Sequence, residues 1–459
     1  MKKVLSTVAA LGLVAGLATT ASAVEFKMSG TYLVEGAYLS SNDGSGVNPT
    51  VATTAQSVSD GYFLHTFEMK PTMKVNDKIS MVANIRLADD TMWGNQTNGD
   101  VSSAGSNVGG TGSDVEVWHM YMDYVSPIGK MRFGRTPAGP YGTAFMDSDL
   151  RGDRVMLWPS ALASGPWSTL FYMQKNTNNN TDNTDTQLAS DADNTTYVAR
   201  LYYKTDALDS GLHYQFGNDK TDENTSTFAD LSPASNQKQQ VTVYGKYKMD
   251  NYFVNAELSH YFGSLDYDTE VVGTRMDRDY DSWAGMLQVG AKVDALTPSL
   301  MYFYAQGQDM NETVGNGGDI EAALSSVTGT GDLFEPLYIL TGRHTGMLNP
   351  DLFGTTGAMT TAGVHAVVAS ADYAVSNQLT LHGAIGWAKA DEAAITGYTN
   401  RDDSYGWEYN LGAAYKLLDN LTYEAHFGYL DTGDYFKSTA ATDDTENIYI
   451  LTHSLTMTF

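Results

Sequence analysis

The C-terminal stretch Leu451-Thr452-His453-Ser454-Leu455-Thr456-Met457-Thr458-Phe459 alternates between two kinds of side chain. Its odd positions are apolar or aromatic, apart from His453, and its even positions are all Ser or Thr. Successive side chains of a β-strand point to opposite faces of the sheet. The stretch therefore predicts a strand with one apolar and one polar face, and Phe459 lies on the apolar face.

The same period of two recurs along the chain, where paired runs are joined by short polar turns. Two such runs around a tight turn predict a β-hairpin. One hairpin has Phe63, Phe67, Met69, Met73 and Val75 on its apolar face, turns at Asn76-Asp77-Lys78, and returns with Ile79, Met81, Ala83, Ile85 and Leu87. Another run places Trp118, Met120, Met122 and Tyr124 on one face.

Long, polar connections separate these hairpins, so short and long connections alternate. They cover residues 41–61, 89–114, 136–153, 176–194, 218–237, 264–279, 307–362, 391–404 and 431–446. The pattern predicts about eighteen antiparallel strands, with sixteen as the alternative. The ambiguity lies in the pair within 154–175 and in Leu337-Tyr338-Ile339-Leu340, which is either a strand or, as we favour, a patch packed inside its long loop.

This alternation is typical of a barrel that crosses a membrane. Backbone groups left unsatisfied in hydrocarbon cost several kcal/mol each, so a spanning sheet must close on itself. A Lys or Arg that faces lipid at mid-depth costs about 2–4 kcal/mol, whereas a charge inside the barrel is tolerated. Charged residues such as Lys70, Arg86 and Lys246 lie on the polar face of their strands. We therefore predict an all-β transmembrane barrel with short turns on the periplasmic side and long loops outside.

The first 23 residues have a different character. Lys2 and Lys3 precede an apolar run from Val4 to Leu17, and Ala21-Ser22-Ala23 follows. This order is typical of a cleaved secretory signal peptide, with an uncleaved anchor as the alternative. Removing 23 of 459 residues leaves 436, so the barrel is expected to span 24–459. Because residues 1–23 contain two lysines and no acid, the formal charge changes from −27 to −29.

Charge and composition exclude several classes of function. An acidic protein repels phosphates, which argues against nucleic acid as a partner. The chain has no cysteine, so disulfides, thiolate metal sites and a cysteine nucleophile are excluded. An enzyme is not expected, because the sequence has no Gly-x-Ser-x-Gly elbow and no His-Glu-x-x-His motif. The histidines are scattered over positions 65, 119, 213, 260, 344, 365, 382, 426 and 453.

Two acidic clusters raise the question of calcium. One contains Asp266, Asp268, Glu270, Asp277, Asp279 and Asp281, and the other Asp443, Asp444 and Glu446. Oxygen-rich clusters suit hard cations, but neither has the spacing of an EF-hand. No metal site and no cofactor are predicted, and bridging of divalent cations at the surface stays open as the alternative to simple solvation.

Two stretches resemble the Gram-negative trimeric porins. In the last strand, Leu455, Met457 and Phe459 resemble the terminal signature that the barrel-assembly machinery recognises. Gly129-Lys130-Met131-Arg132-Phe133-Gly134-Arg135 is similar to the family's fifth strand, and an acidic stretch from Thr136-Pro137 to Asp153-Arg154 follows it. The architecture is similar over the whole of 24–459. Phe334-Glu335-Pro336-Leu337 is similar to porins of sulfate- and metal-reducing bacteria.

The resemblance implies that the third long loop folds inward and narrows the pore. Loop carboxylates, here Asp147, Asp149 and Asp153, would then face arginines on the wall. The wall cations would be Arg86 and Arg132, with Arg135, Arg151 and Arg154 near the ends of the loop. Opposed charges across a narrow aqueous gap orient dipolar solutes. Arg135 lies on the apolar parity unless Gly134 shifts the register, and a merely solvated loop is the alternative for the whole set.

The expected function is a passive outer-membrane pore for small hydrophilic solutes and ions. A weak preference for cations is expected because carboxylates raise the local cation concentration. The resemblance implies a homotrimer surrounded by outer-membrane lipid and lipopolysaccharide. The alternative from another class is a barrel scaffold, which would sheathe a periplasmic electron carrier or act as a surface adhesin.

Overall fold

A computed structural model gives the architecture of the chain. It describes residues 24–40, 50–51, 59–93, 115–137, 141–145, 151–177, 193–220, 235–266, 277–309, 319–323, 334–342, 344–345, 362–392, 402–437 and 444–459. Within these ranges, helices are too short or too polar to cross a membrane. The signal peptide predicted for residues 1–23 lies outside the described residues and stays a prediction.

Eighteen antiparallel strands form one closed sheet, as the alternation predicts. The ring closes where the last strand pairs with the first, from Thr31 opposite Thr458 to Leu39 opposite Ile450. The ambiguous segment 154–175 contributes two strands, which settles the count in favour of eighteen. The strands are β1 Glu25–Leu39, β2 Asp60–Lys74, β3 Ile79–Met92, β4 Val115–Ser126, β5 Gly129–Thr136, β6 Gly152–Pro159, β7 Trp167–Thr177, β8 Asp193–Lys204, β9 Leu208–Asp219, β10 Ser235–Met249, β11 Tyr252–Asp266, β12 Arg278–Ala291, β13 Leu296–Ala305, β14 Val364–Ala374, β15 Leu379–Lys389, β16 Ser404–Leu418, β17 Leu421–Thr432 and β18 Ile448–Thr458.

Short turns at one end of the barrel are closed by polar side chains. The side-chain oxygen of Asn76 accepts two backbone N–H groups between β2 and β3, at 2.8 and 3.0 Å. The hydroxyl of Ser376 does the same between β14 and β15, at 3.1 and 3.0 Å. Asp250 and Asp294 adopt the left-handed conformation in two further turns, with φ of 50° and 54°. Asn, Asp and Ser favour tight turns because their short side chains bond to the nearby backbone.

The two faces of the sheet differ as the sequence predicts. Large apolar side chains cover the outside, among them Phe26, Val243, Leu258, Leu287 and Leu411. The inside holds buried polar groups, such as Asn84, Arg154, Ser259, Glu408 and Asn410, and an apolar cluster beside them. An apolar exterior and a polar interior are the reverse of a soluble protein and suit a barrel surrounded by lipid.

One predicted face is wrong at Trp118. The pairing of β3 with β4 shifts between Asn84, which lies opposite His119, and Ile85, which lies opposite Val117. Trp118 is the extra residue of a β-bulge, and it lies against arginines inside the barrel instead of facing outward. A bulge redirects a side chain because two residues of one strand oppose one residue of its neighbour.

Two of the long connections enter the barrel. We name them L3 (residues 137–151, between β5 and β6) and L7 (residues 306–363, between β13 and β14). In L3, Tyr141 and Phe145 are buried, so the predicted inward fold of the third loop is confirmed. In L7, Leu337, Ile339 and Leu340 are completely buried in a non-strand segment. The patch packed inside the long loop, favoured over a strand, is therefore confirmed.

Candidate pore constriction

Two arginines stack on one indole at the inner wall. The guanidinium carbon of Arg86 on β3 lies 3.6 Å from the ring centre of Trp118, and that of Arg151 at the end of L3 lies 3.9 Å from it. Arg86 donates to Asp89 at 2.8 Å, and Arg151 forms an ion pair with Glu116. An aromatic face attracts a cation, so Trp118 orients both guanidinium groups. The structure thus joins the predicted wall cation Arg86 to Arg151.

Arg132 occupies the neighbouring stretch of wall on β5. Its guanidinium donates two parallel hydrogen bonds to Asp123, at 2.7 and 3.0 Å, and lies 4.0 Å from the ring centre of Tyr121. The ammonium group of Lys130 approaches the same carboxylate at 3.0 Å. Bidentate pairing fixes the plane of the guanidinium. Arg132 is thereby held facing the interior, beside its own counter-charge.

Arg154 on β6 is buried beside a second arginine that the sequence reasoning did not single out. Arg154 donates to the side-chain oxygen of Gln174 at 2.9 Å. Arg200 on β8 donates to His213 at 3.1 Å. Both guanidinium carbons lie 5.5 Å from the ring centre of Tyr172. The signal for Arg200 in the sequence was its position on the polar face of β8, among aromatic residues of the same strand.

The structure does not bring Arg135 and Asp153 into this group. Arg135 lies opposite Met120 in one neighbouring strand and opposite Asp153 in the other. Met120 is an exposed apolar residue of the outer face, so Arg135 and Asp153 share that outer parity. Gly134 has a φ of 120° without shifting the register. The position of Arg135 and Asp153 on the outer face therefore does not support their assignment to the pore constriction.

The two remaining predicted carboxylates, Asp147 and Asp149, lie outside the described residues, and their role stays a prediction. The described part of L3 is attached to the wall. A carboxylate oxygen of Glu257 on β11 accepts the backbone N–H and the hydroxyl of Thr143, at 2.6 and 2.8 Å. Lys246 on β10 donates to the carbonyl of Gly142 at 2.9 Å.

A second wall carboxylate holds L7. The two oxygens of Glu408 on β16 accept the backbone N–H groups of Ile339 and Leu340, at 2.8 and 2.7 Å. Farther along L7, His344 lies 2.7 Å from Glu35 and 3.0 Å from the hydroxyl of Tyr62. L7 is therefore attached to both ends of a wall segment that runs from β16 through the closure to β2.

L3 and L7 touch each other inside the barrel. The ring of Phe145 in L3 lies 4.9 Å from that of Phe334 in L7, and Phe303 on β13 packs against both. Edge-on contacts of this kind favour a fixed arrangement of the rings. The two loops thus form one continuous obstruction across part of the interior, opposite the arginines of β3 to β8.

A cavity of about 330 Å³ remains between L7 and the strands β17, β18 and β1. Its charged lining is acidic, with Glu35, Glu335 and Glu424. The ring of Tyr338 stacks on His426 at 4.7 Å. Burial, reinforced by the carboxylates of Asp372 and Glu335, raises the pKa of Tyr338 in L7 above its ordinary value.

Trp118 and the anchoring glutamates were missed by sequence reasoning. A signal for Trp118 exists, because the apolar positions change from odd (Val115, Val117) to even (Met120, Met122) on either side of it. No comparable signal marks Glu257 or Glu408, whose partners are more than 65 residues away in the chain.

The terminal residues predicted as an assembly signal lie on the outer face. Leu455, Met457 and Phe459 are exposed there. Phe459 exchanges two backbone hydrogen bonds with Gly30 of β1, at 3.0 and 3.1 Å, so the last residue takes part in closing the ring. Recognition by an assembly machinery stays a prediction.

Within the described ranges, three or more His, Asp or Glu residues nowhere form a group that could hold a metal ion. These ranges include Asp266, Asp277, Asp279 and Asp281 of the first acidic cluster, while Asp268 and Glu270 lie outside them. Surface bridging by divalent cations stays an open alternative.

Known proteins resemble the chain in sequence pattern and in fold. The model of the porin subfamily matches residues 166–454. OccK8 (OprE) of Pseudomonas aeruginosa superposes with a TM-score of 0.50 at 12% identity, over 94% of this chain and 98% of that one. OpdQ of the same organism gives 0.49 at 12% identity over 94% and 98%, and a BenF-like porin from Pseudomonas fluorescens Pf-5 gives 0.48 at 11% over 94% and 99%. No curated protein matches the sequence. At such identities the OccK8 likeness shows the fold alone.

Proposed function

The chain belongs to the porin family of Gram-negative outer membranes, and from that premise we propose that it is a passive diffusion pore for small hydrophilic solutes and ions with a weak preference for cations. One observation carries the proposal. The interior keeps charged side chains in contact with solvent, including Lys70 and Lys130, whose side chains are 50% and 43% exposed. Such groups are stable inside a membrane barrel only where water fills it.

The arrangement of charge supports the preference for cations. Arg86, Arg132 and Arg151 each have a carboxylate partner, which largely cancels their field. The cavity below L7 adds three glutamates, and the whole chain has a formal charge of −27. A surplus of fixed negative charge raises the concentration of cations in a narrow aqueous passage.

A planar-bilayer recording tests the proposal. Purified protein in detergent should insert as stable, ohmic conductance steps. In a salt gradient, the reversal potential should have the sign of a cation-preferring pore. Folded protein, identified by heat-modifiable mobility on a gel, that gives no steps would contradict the pore.

The alternative as a sheath for an electron carrier, or as an adhesin, is distinguished by the same recording. A sheath needs an open interior, whereas the described parts of L3 and L7 obstruct part of this one. Their contact through Phe145 and Phe334 favours the narrow pore. A sheath or adhesin would give no stable steps.

We also propose that the protein forms an oligomer, with the outer face of β18, β1 and β2 covered by a second copy. His453 lies between Leu451 and Leu455 on this face, and its ring lies over Gly36 of β1. His65 lies nearby, with its Nδ1 atom 3.4 Å from the hydroxyl of Tyr32. Hydrocarbon offers an imidazole no hydrogen-bond partner, so polar side chains on the outer face favour contact with protein.

A further inference from the structure

A short apolar segment of L7 packs into a recess in the inner wall of the barrel. Leu337, Ile339 and Leu340 are completely buried against β15, β16 and β17. We infer that this segment is a fixed second side of the pore constriction, and that Glu408 is the residue that positions it. The inference rests on the pore function proposed above and adds the element that determines the pore's cross-section.

Three glycines make room for the segment, and we call them the glycine socket. A Cβ at Gly386 would lie 2.6 Å from Leu337, and one at Gly412 would lie 2.9 Å from the hydroxyl of Tyr338. A Cβ at Gly428 would lie 3.0 Å from Asn410 and Ile450 of the wall and 3.3 Å from Ile339. The φ angle of none of the three is in the left-handed region, so their backbone does not demand glycine. Space for L7 is the physical reason for the glycines on β15 and β16, whereas Gly428 on β17 leaves room both for L7 and for side chains of the neighbouring strands.

Glu408 fixes the segment at the centre of the socket. Each of its two oxygens accepts one backbone N–H, from Ile339 and Leu340. The side chain is completely buried, and a buried carboxylate is tolerated only when its oxygens are satisfied. A glutamine here has one oxygen and one NH₂ group. Its NH₂ group, which is a donor, would face one of the two backbone N–H groups, which is also a donor. Glu408→Gln therefore removes one anchor while changing almost no volume.

Single-channel recording of Glu408→Gln tests the positioning role. Losing one hydrogen bond to a charged acceptor shifts the balance between seated and displaced L7 by about tenfold. The variant should show about tenfold more frequent excursions to a higher conductance than the wild type. An unchanged record from a folded variant would contradict the positioning role.

Gly386→Val provides a second test with a matched control on the same strand. The added side chain would occupy the place of Leu337, so the main conductance level should rise. Gly383 faces outward on β15, and a Cβ there would meet nothing closer than 3.9 Å. Gly383→Val should therefore conduct like the wild type. Equal conductance of the two folded variants would overturn the inference.

A disulfide cross-link tests the position of the L7 segment in the glycine socket without a conductance measurement. Because the chain has no cysteine, Leu337→Cys with Gly386→Cys introduces the only thiol pair. The pair should oxidise to a disulfide that alters gel mobility and suppresses the excursions, whereas Leu337→Cys with Gly383→Cys should stay reduced. Absence of a cross-link in the first pair would contradict the position of Leu337 beside Gly386. If wild-type protein failed to conduct, the pore proposal would fall, and this cross-link would still decide where L7 lies.

Discussion

The arginines of the pore wall are held in place by aromatic rings and carboxylates. Trp118 contacts both Arg86 and Arg151, and Arg132 makes a bidentate pair with Asp123. A guanidinium stacked on a ring and paired in its own plane loses less entropy when it meets a solute than a free side chain would. At this scale the wall therefore offers oriented charges with nearly cancelled net charge.

The uncancelled charge is expected on the loop side, where Asp147 and Asp149 were predicted to face the arginines. Replacing both with Asn should shift the reversal potential in a salt gradient towards anions, because carboxylates concentrate cations near the constriction. Asp250→Asn removes the same kind of charge from an exposed turn whose left-handed backbone suits Asn, and it serves as the control. A reversal potential that stays at the wild-type value would count against the assignment of these two residues.

Strands β5 and β6 show how closely the elements approach each other. Gly129 begins β5 with a φ of 141°, a conformation that other residues rarely adopt. A Cβ at this position would collide with the carbonyl oxygen of Trp158 on β6. Both strands are short, with eight residues each, and they support L3 at its two ends. The geometry of this pair therefore bears directly on the position of L3.

Gly129→Ala should destabilise the barrel by about 1–3 kcal/mol, the usual range for a residue forced into an unfavourable backbone conformation. The measurement is the temperature at which the folded gel band converts to the unfolded one. Gly245→Ala is the control, because a Cβ at Gly245 would meet no atom within 4 Å. A conversion temperature equal to that of the control would show that β5 adapts without cost.

The whole molecule inverts the usual arrangement of a soluble protein. Its apolar side chains face outward, and its largest apolar cluster lies inside on one side only, where L7 and L3 pack against β11 to β18, β1 and β2. The inward-facing arginines Arg86, Arg132, Arg154 and Arg200 lie on the other side, on β3 to β8. In the described part of the chain, the interior therefore has an apolar side packed by the two loops and a side of paired arginines, which is a physical basis for a narrowed pore in a barrel of eighteen strands.

The purified protein should be a strand-rich, heat-modifiable oligomer in detergent, with a trimer as the expected size. Cross-linking followed by gel electrophoresis gives the size. A spin label at Tyr32→Cys, on the face of β18, β1 and β2, should be shielded from lipid-dissolved oxygen by the second copy. The same label at Val243→Cys, on the exposed outer face of β10, should stay accessible. A monodisperse monomer that is soluble without detergent would contradict both the oligomer and the barrel.

Alternation along each segment was enough to predict the closed sheet, the two faces and the alternation of short and long connections. Lipid imposes a local rule, since each outward side chain must be apolar and each strand must pair on both sides. A local rule can be read residue by residue, as in Leu451 to Phe459. In the described residues it fails where the strand itself is irregular, as at Trp118.

Tertiary structure alone decided what fills the barrel. Glu408 with Ile339, Glu257 with Thr143 and Phe145 with Phe334 join residues far apart in the sequence. Each pairing depends on how the strands close into a ring and on which strands face one another across it. The alternation of side chains along one strand contains no information about contacts across the barrel. The sequence by itself therefore determined that there is a barrel, whereas the packing of two loops against its inner wall determined the shape of the passage through it.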